Sequence, residues 1–149
     1  LVSIGISDKN LQDIYQDSYI SKVSHDNKPF ESIDHPLVKY ITASINGRFA
    51  GAFMIILFSK TEIEIHSLLK KQFIKYSRQL GKEVIDYIFS FYNPQRLTAP
   101  IIDGLNTAKN YVVKLGFTLE GIRRDACSKD NRMKDIYIYG LTRREWSIK

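Results

Sequence analysis

The sequence predicts an α/β (α+β) fold, a mixed and mostly antiparallel central sheet flanked by helices, in the order β-α-β-β-β-α-β-α-β-β. Three observations carry that expectation. Two β-rich runs, 38–45 and 48–58, are joined by Asn46-Gly47, residues that tolerate positive φ, so they read as a hairpin. From Ser77 to about Tyr92 the period changes: Leu80, Val84, Ile88 and Phe91 recur every three to four residues, with Ile85 and Phe89 widening the stripe. That helix lies between two strand-like runs, 62–69 and 96–102, which is the pattern of a parallel crossover.

Taken in order, Leu1–Ile6 reads as a first strand, and Ser7 or Asp8 can cap a helix carrying Leu11, Ile14, Tyr15 and Ile20. Ser24 to Pro36 is polar, holds two prolines and reads as a loop on the substrate side. Phe49 to Phe58 is almost continuously apolar, as a strand covered on both faces should be. Ser59-Lys60-Thr61 turns the chain into the fourth strand, Glu62–Leu69, and Lys70–Ser77 follows as a short basic loop. Asn93-Pro94 ends the long helix. Asn106 can cap the next helix and Gly116 can stop it in the left-handed conformation. Phe117 to Arg124 and Met133 to Leu141 are expected as two closing strands joined by a polar stretch, Asp125–Arg132.

With 149 residues, no internal repeat and no linker, one domain spanning 1–149 is expected. Cys127 is the one cysteine, so no disulfide can form within the chain, which fits a reducing, cytoplasmic setting. There is no CxxC, HExxH or His/Cys cluster, and no metal site is expected. No apolar run reaches the roughly 18 residues of a membrane span. The net charge of +6 favours an anionic partner, yet no nucleic-acid motif accompanies it. A phosphorylated small molecule suits the charge better, because a strand leading through a tight loop into a helix start is a place to hold phosphate.

On the fourth strand, Glu62, Glu64 and His66 lie at i, i+2 and i+4 and so share one face. A histidine exchanges protons near neutral pH, which makes His66 a candidate general base, with Glu64 a second candidate acting through a bridging water.

The C-terminal half resembles a known family. Asn106-Thr107-Ala108 through Leu115-Gly116-Phe117 is similar to an "N-x-x-A … LGF" segment of the GCN5-related N-acetyltransferases (GNAT). Glu120-Gly121-Ile122-Arg123-Arg124 resembles the "EG-x-x-R" of the branch that acetylates ribosomal-protein N-termini. Asp135, Tyr139-Gly140-Leu141, Arg143 and Glu145-Trp146 resemble that branch's closing motif. The "IEIH" strand and the LGF segment also resemble GNAT-like bacteriophage proteins.

The resemblance implies acetyl-CoA as co-substrate, lying in a V between two splayed strands, with pantetheine along the fourth strand at Leu68 and Leu69. The family's pyrophosphate loop, R/Q-x-x-G-x-G/A, falls on Gln72, Phe73, Ile74, Lys75, Tyr76 and Ser77, with Lys75 and Ser77 where small residues stand in the family. Arg78, Lys70 and Lys71 would add positive charge, and Asn106 would contact the cofactor or simply cap its helix. The position of the family's acid tyrosine holds Val112; Tyr111, one residue off, is expected to pack. Tyr137 and Tyr139 would help line the acceptor side. The implied activity is acetyl transfer from acetyl-CoA to a primary amine (a protein N-terminus, a lysine or a small amine) by direct attack, with His66 and Glu64 as the catalytic pair. The alternative is a catalytically inactive GNAT-like phage protein, located in the virion and partnered by virion proteins or its own copies.

Overall fold

A computed structural model describes residues 2–6, 11–15, 17, 19–20 and 33–148. A seven-stranded sheet runs in the order β1-β2-β3-β4-β5-β7-β6. Its strands are β1 (Val2–Ile6), β2 (Val38–Ile45), β3 (Arg48–Leu57), β4 (Glu62–Leu69), β5 (Arg96–Ile102), β6 (Thr118–Lys129) and β7 (Arg132–Thr142). All neighbours pair antiparallel except β4 and β5. That one parallel pair follows from the connection: α2 (Ser77–Phe91) carries the chain across the sheet between them. Further helices are α1 (Gln12–Tyr15), α3 (Asn106–Lys114) and α4 (Arg143–Ser147), and none of the described helices is long and apolar enough to cross a membrane.

The mixed, mostly antiparallel sheet flanked by helices is the expected fold class, in the expected order, with α4 added at the end. Asn46 (φ 50°) and Gly47 (φ 80°) form the hairpin turn between β2 and β3. One face of the sheet packs on α2 through Ile41, Phe53, Ile55, Ile63 and Leu97 against Leu80, Val84, Ile85, Ile88 and Phe89. On the other face Tyr40 and Ala52 meet Leu11, Ile14 and Ile20, with Met54 and Leu68 alongside. This second face carries the ionisable residues of β4.

Several details differ from the sequence reading. Phe91, expected in the core stripe, is 67% exposed and stacks outward on Tyr87 (centroids 5.3 Å apart). By the helical period it shares the face of the buried Leu80 and Val84, but it is the last residue of α2 and its ring packs on Tyr87 and Tyr92 instead. The basic stretch expected as a short loop is a 3-10 helix, Lys71–Tyr76, running straight into α2. Asp125–Arg132, expected as a polar connection, is mostly strand: β6 continues to Lys129 and the turn is only Asp130-Asn131, both at positive φ. Register shifts between Leu119 and Gly121 and between Arg123 and Cys127 absorb the extra residues. Asn106 does not cap α3; Leu105 occupies that place and no side chain caps the helix. The expected caps Ser7 and Asp8, and most of the loop 24–36, lie outside the described residues.

Helix α4, not expected from the sequence, starts at a capping box, Thr142-x-x-Glu145. The Thr142 hydroxyl accepts from the Glu145 N–H (3.1 Å) and the Glu145 carboxylate accepts from the Thr142 N–H (2.8 Å). The short helix then locks the C-terminus onto α2. Trp146 stacks on Phe89 (4.9 Å) and donates to Asp86 (2.7 Å), while Arg143 donates to the carbonyls of Phe89 (2.5 Å) and Pro94 (3.0 Å). Thr142→Ala should therefore lower stability by about 1 kcal/mol, a melting shift of roughly 2–4 °C. Bonding to the backbone N–H of Thr142, then to its hydroxyl, holds the Glu145 carboxyl below its ordinary value. The unfolded chain thus takes up this proton first. The stabilisation is complete above the ordinary carboxylate range and fades as pH falls through the folded value. Melting scans of wild type and a Glu145→Gln variant should therefore converge in acid.

Candidate active site

β4 and β5 stay paired only at Glu62↔Arg96, Ile63↔Leu97 and Glu64↔Thr98. Beyond that point β4 remains bonded to β3 as far as Leu69, and β5 to β7 as far as Ile102. The two strands therefore part, each held by its outer neighbour. Pro100, which has no N–H to offer, lies two residues past the last pair. Between the parted strands the β5-facing edge of β4, from Ile65 onward, has no strand partner.

His66 is the first residue of its face past the pairing. Its Nε2 lies 2.6 Å from Oε2 of Glu64, with the two side chains 30% and 18% exposed. A contact this short needs one proton between the atoms. With Glu64 ionised, Nε2–H donates to it, and Nδ1 is the nitrogen that can take up a proton. The structure thus brings His66 and Glu64 together, on one face with Glu62, at the point where the strands separate.

The polar strip continues across the sheet through residues not anticipated from sequence. Glu62 accepts from the Thr98 hydroxyl (2.6 Å), and Thr98 accepts from Nε of Arg96 (3.1 Å). The Arg96 guanidinium forks onto Glu120 (3.0 and 2.5 Å). That pairing outweighs burial, which acts in the opposite direction, and drives the guanidinium further above its already high value, so it stays a cation. Gly140 lies beneath the pair; a Cβ there would collide with the Glu120 carboxylate and the Arg96 guanidinium. The available signal was Arg96 and Thr98 at i, i+2 in an otherwise apolar buried strand. Arg96→Ala should leave Glu62 and Glu120 facing each other without their cation, an expected loss of about 1–2 kcal/mol in denaturant unfolding.

On the opposite face Tyr111 reaches from α3 to the start of α2, where its hydroxyl donates to the Ser77 carbonyl (2.9 Å). Burial, only partly offset by a hydrogen bond with the Ser67 side chain, holds that phenol protonated far above its ordinary range. Tyr111 packs, as expected, and Val112 lies in the core. Gly81 makes room, since a Cβ there would strike the Tyr111 hydroxyl.

The expected cofactor residues lie along and beyond the end of β4. Leu69 is in the α2-side core, and Leu68 packs on the α1 side. In the 3-10 turn, Phe73 N–H bonds back to Lys70 (3.0 Å) and Ser77 N–H to Ile74, so these amides are already engaged. Phe73 is buried, Ile74 and Tyr76 are half-buried, and Gln72, Lys75 and Arg78 face solvent. The Lys75 ammonium lies over the Tyr76 ring (5.3 Å). Asn106 is exposed at the first turn of α3. Tyr139 is buried in the α2-side core; Tyr137 is half-buried under the Lys109 ammonium (3.5 Å).

No protein-family model and no curated protein matches the sequence. Solved structures do match. Spermidine N-acetyltransferase from Vibrio cholerae, in complex with CoA and spermine, superposes with a TM-score of 0.86 over 98% of both chains at 13% identity. Mutant forms of the spermidine/spermine N-acetyltransferase from the same organism give 0.82 at 14% identity, over 99% of this chain and 98% of theirs. The chain has the GNAT fold. At this identity the likeness is one of architecture, and it covers 98% of this chain.

Proposed function

We propose that this GNAT-fold chain is an acetyl-CoA-dependent N-acetyltransferase that passes an acetyl group to a primary amine by direct attack. The observation that carries it is the splay of β4 from β5 with the His66–Glu64 pair at its apex. The free edge of β4 past Glu64 fits the amide-bearing arm of acetyl-CoA, which can add to it as a strand would. Bound acetyl-CoA supplies the thioester; Leu68 and Leu69 would flank its arm. Lys70, Lys71, Lys75 and Arg78 bring positive charge for its anionic end.

The chain's own part is positioning and proton transfer. Nδ1 of His66 takes the proton from the incoming ammonium. Glu64 fixes the ring through Nε2–H and stabilises the imidazolium that forms. Glu62 and Glu64 on one face favour an acceptor that is itself cationic. The Vibrio cholerae relatives, named for spermidine and spermine, support a polyamine as that acceptor. The C-terminal motifs favour a protein N-terminus instead.

A second reading, an inactive GNAT-like protein of phage type that binds other proteins, is favoured by one feature. Lys75 and Ser77 stand where small residues are expected, within a turn whose amides are already bonded. Thiol release from acetyl-CoA, with spermidine, a lysine peptide and a free peptide N-terminus as acceptors, decides between them. The transferase reading expects amine-dependent release with at least one acceptor; release no faster than hydrolysis with all three would favour the second.

A further inference from the structure

A second concave site lies away from the splay. A cleft of ≈ 240 Å³ opens between the tip of the β2–β3 hairpin and the 3-10 turn, lined by Ile45, Arg48, Gln72, Phe73, Lys75 and Tyr76. β4 pairs with β3 on one side and β5 on the other, so the cleft and the splay lie on opposite flanks of β4. The hairpin tip is one to two strand spacings from β4, about 5–10 Å.

Its chemistry is one-sided. No acidic residue occurs between Asp34 and Glu62 or between Glu64 and Glu83, the two segments that build the cleft. The same segments carry Lys39, Arg48, Lys60, Lys70, Lys71, Lys75, Arg78 and Lys82. Arg48 lies over the Phe73 ring (5.3 Å) and Lys75 over the Tyr76 ring (5.3 Å). A ring beside each cation restrains it without using up its N–H donors. The exposed Gln72 amide adds a neutral donor beside them. A guanidinium fork, an ammonium and an amide around one concavity match the oxygens of a phosphate group.

We propose that this cleft is a phosphate subsite, in which Arg48 and Lys75 hold a phosphomonoester by their side chains. The design suits a turn whose backbone amides are already bonded: the charge the amides cannot meet is met by two side chains, one from an element, the hairpin, that the loop motif does not include. The phosphomonoester has two sources. It is either the nucleotide end of CoA, which rests on the transferase reading, or a separate phosphorylated molecule.

The test is calorimetric titration of adenosine 3',5'-bisphosphate and of inorganic phosphate into wild type, an Arg48→Gln/Lys75→Gln double variant, and Lys114→Gln on the exposed end of α3 as a charge control. All three are first matched by melting temperature. The bisphosphate is expected to bind wild type and the control alike and to bind the double variant at least 10-fold more weakly. CoA and dephospho-CoA identify the source. A loss for CoA but not for dephospho-CoA assigns the subsite to the cofactor's 3'-phosphate; no loss for either, with the bisphosphate weakened, assigns it to a separate phosphorylated ligand. Absence of bisphosphate binding at millimolar concentration, or equal binding by the double variant, overturns the subsite. The two readings fail separately: amine-dependent thiol release without bisphosphate binding removes the subsite alone, and Arg48-dependent bisphosphate binding without thiol release removes the transferase alone.

Discussion

Replacing His66 by glutamine should lower kcat/KM for acetyl transfer by about 10²–10³-fold and leave acetyl-CoA affinity within about twofold. Glutamine keeps the bulk and a donor toward Glu64, so the strand face stays packed, but it offers no nitrogen that takes up a proton. The effect should fall on the chemical step and be largest with the acceptor that most needs its ammonium deprotonated. Glu64→Gln should cost less, about 10-fold, because an amide oxygen can still accept from Nε2–H at 2.6 Å while no longer stabilising the imidazolium by charge. If His66→Gln kept full turnover, His66 would be a packed strand residue and the base would lie elsewhere. Stopped-turnover thiol release with pre-bound acetyl-CoA separates these outcomes.

The second large effect is on folding. Gly51 has φ 139°, which L side chains rarely adopt, and a Cβ there would drive into the Leu68 carbonyl oxygen and against the Leu69 Cα. Gly51 pairs with Leu69, so the clash falls where β4 hands over to the 3-10 turn. Gly51→Ala should therefore lower stability by at least about 2 kcal/mol, strain and overpacking acting together. By contrast Gly104→Ala meets nothing within 4 Å, and its penalty should be that of its φ of 94° alone. Urea unfolding of the pair measures the difference; an equal loss at both sites would contradict the close approach at Gly51.

The strands and crossover were legible because their signals are local: Asn46-Gly47 sets a turn, and a change of period from two to 3.6 marks α2. The His66–Glu64 pair was legible for the same reason, since alternation along one strand places both on one face. What the sequence could not show depends on partners distant in the chain. Arg96 and Glu120 meet across β7 because Gly140 leaves space between them, and no spacing rule links positions 96, 120 and 140. Arg48 joins Lys75 at one cleft only because β3 pairs with β4 to its end and sets the hairpin tip beside the 3-10 turn. The 3-10 turn is read as a short loop because the apolar period of α2 starts only at Ser77, yet Lys71–Tyr76 holds no proline or glycine to break the chain, which coils early into α2. Phe91 shows the converse limit: a residue can fit the helical period and still be exposed when it is the last of its helix.

Everything functional rests on whether the parted strands receive acetyl-CoA, and one titration asks this without knowing the acceptor. Acetyl-CoA added to the wild-type chain, followed by calorimetry and by melting temperature, should give saturable one-to-one binding. At about 100 times Kd it should stabilise by about 2.7 kcal/mol, raising the melting temperature by roughly 5–10 °C. No heat of binding and no thermal shift at millimolar acetyl-CoA would contradict the account and leave a GNAT fold whose splay holds no cofactor.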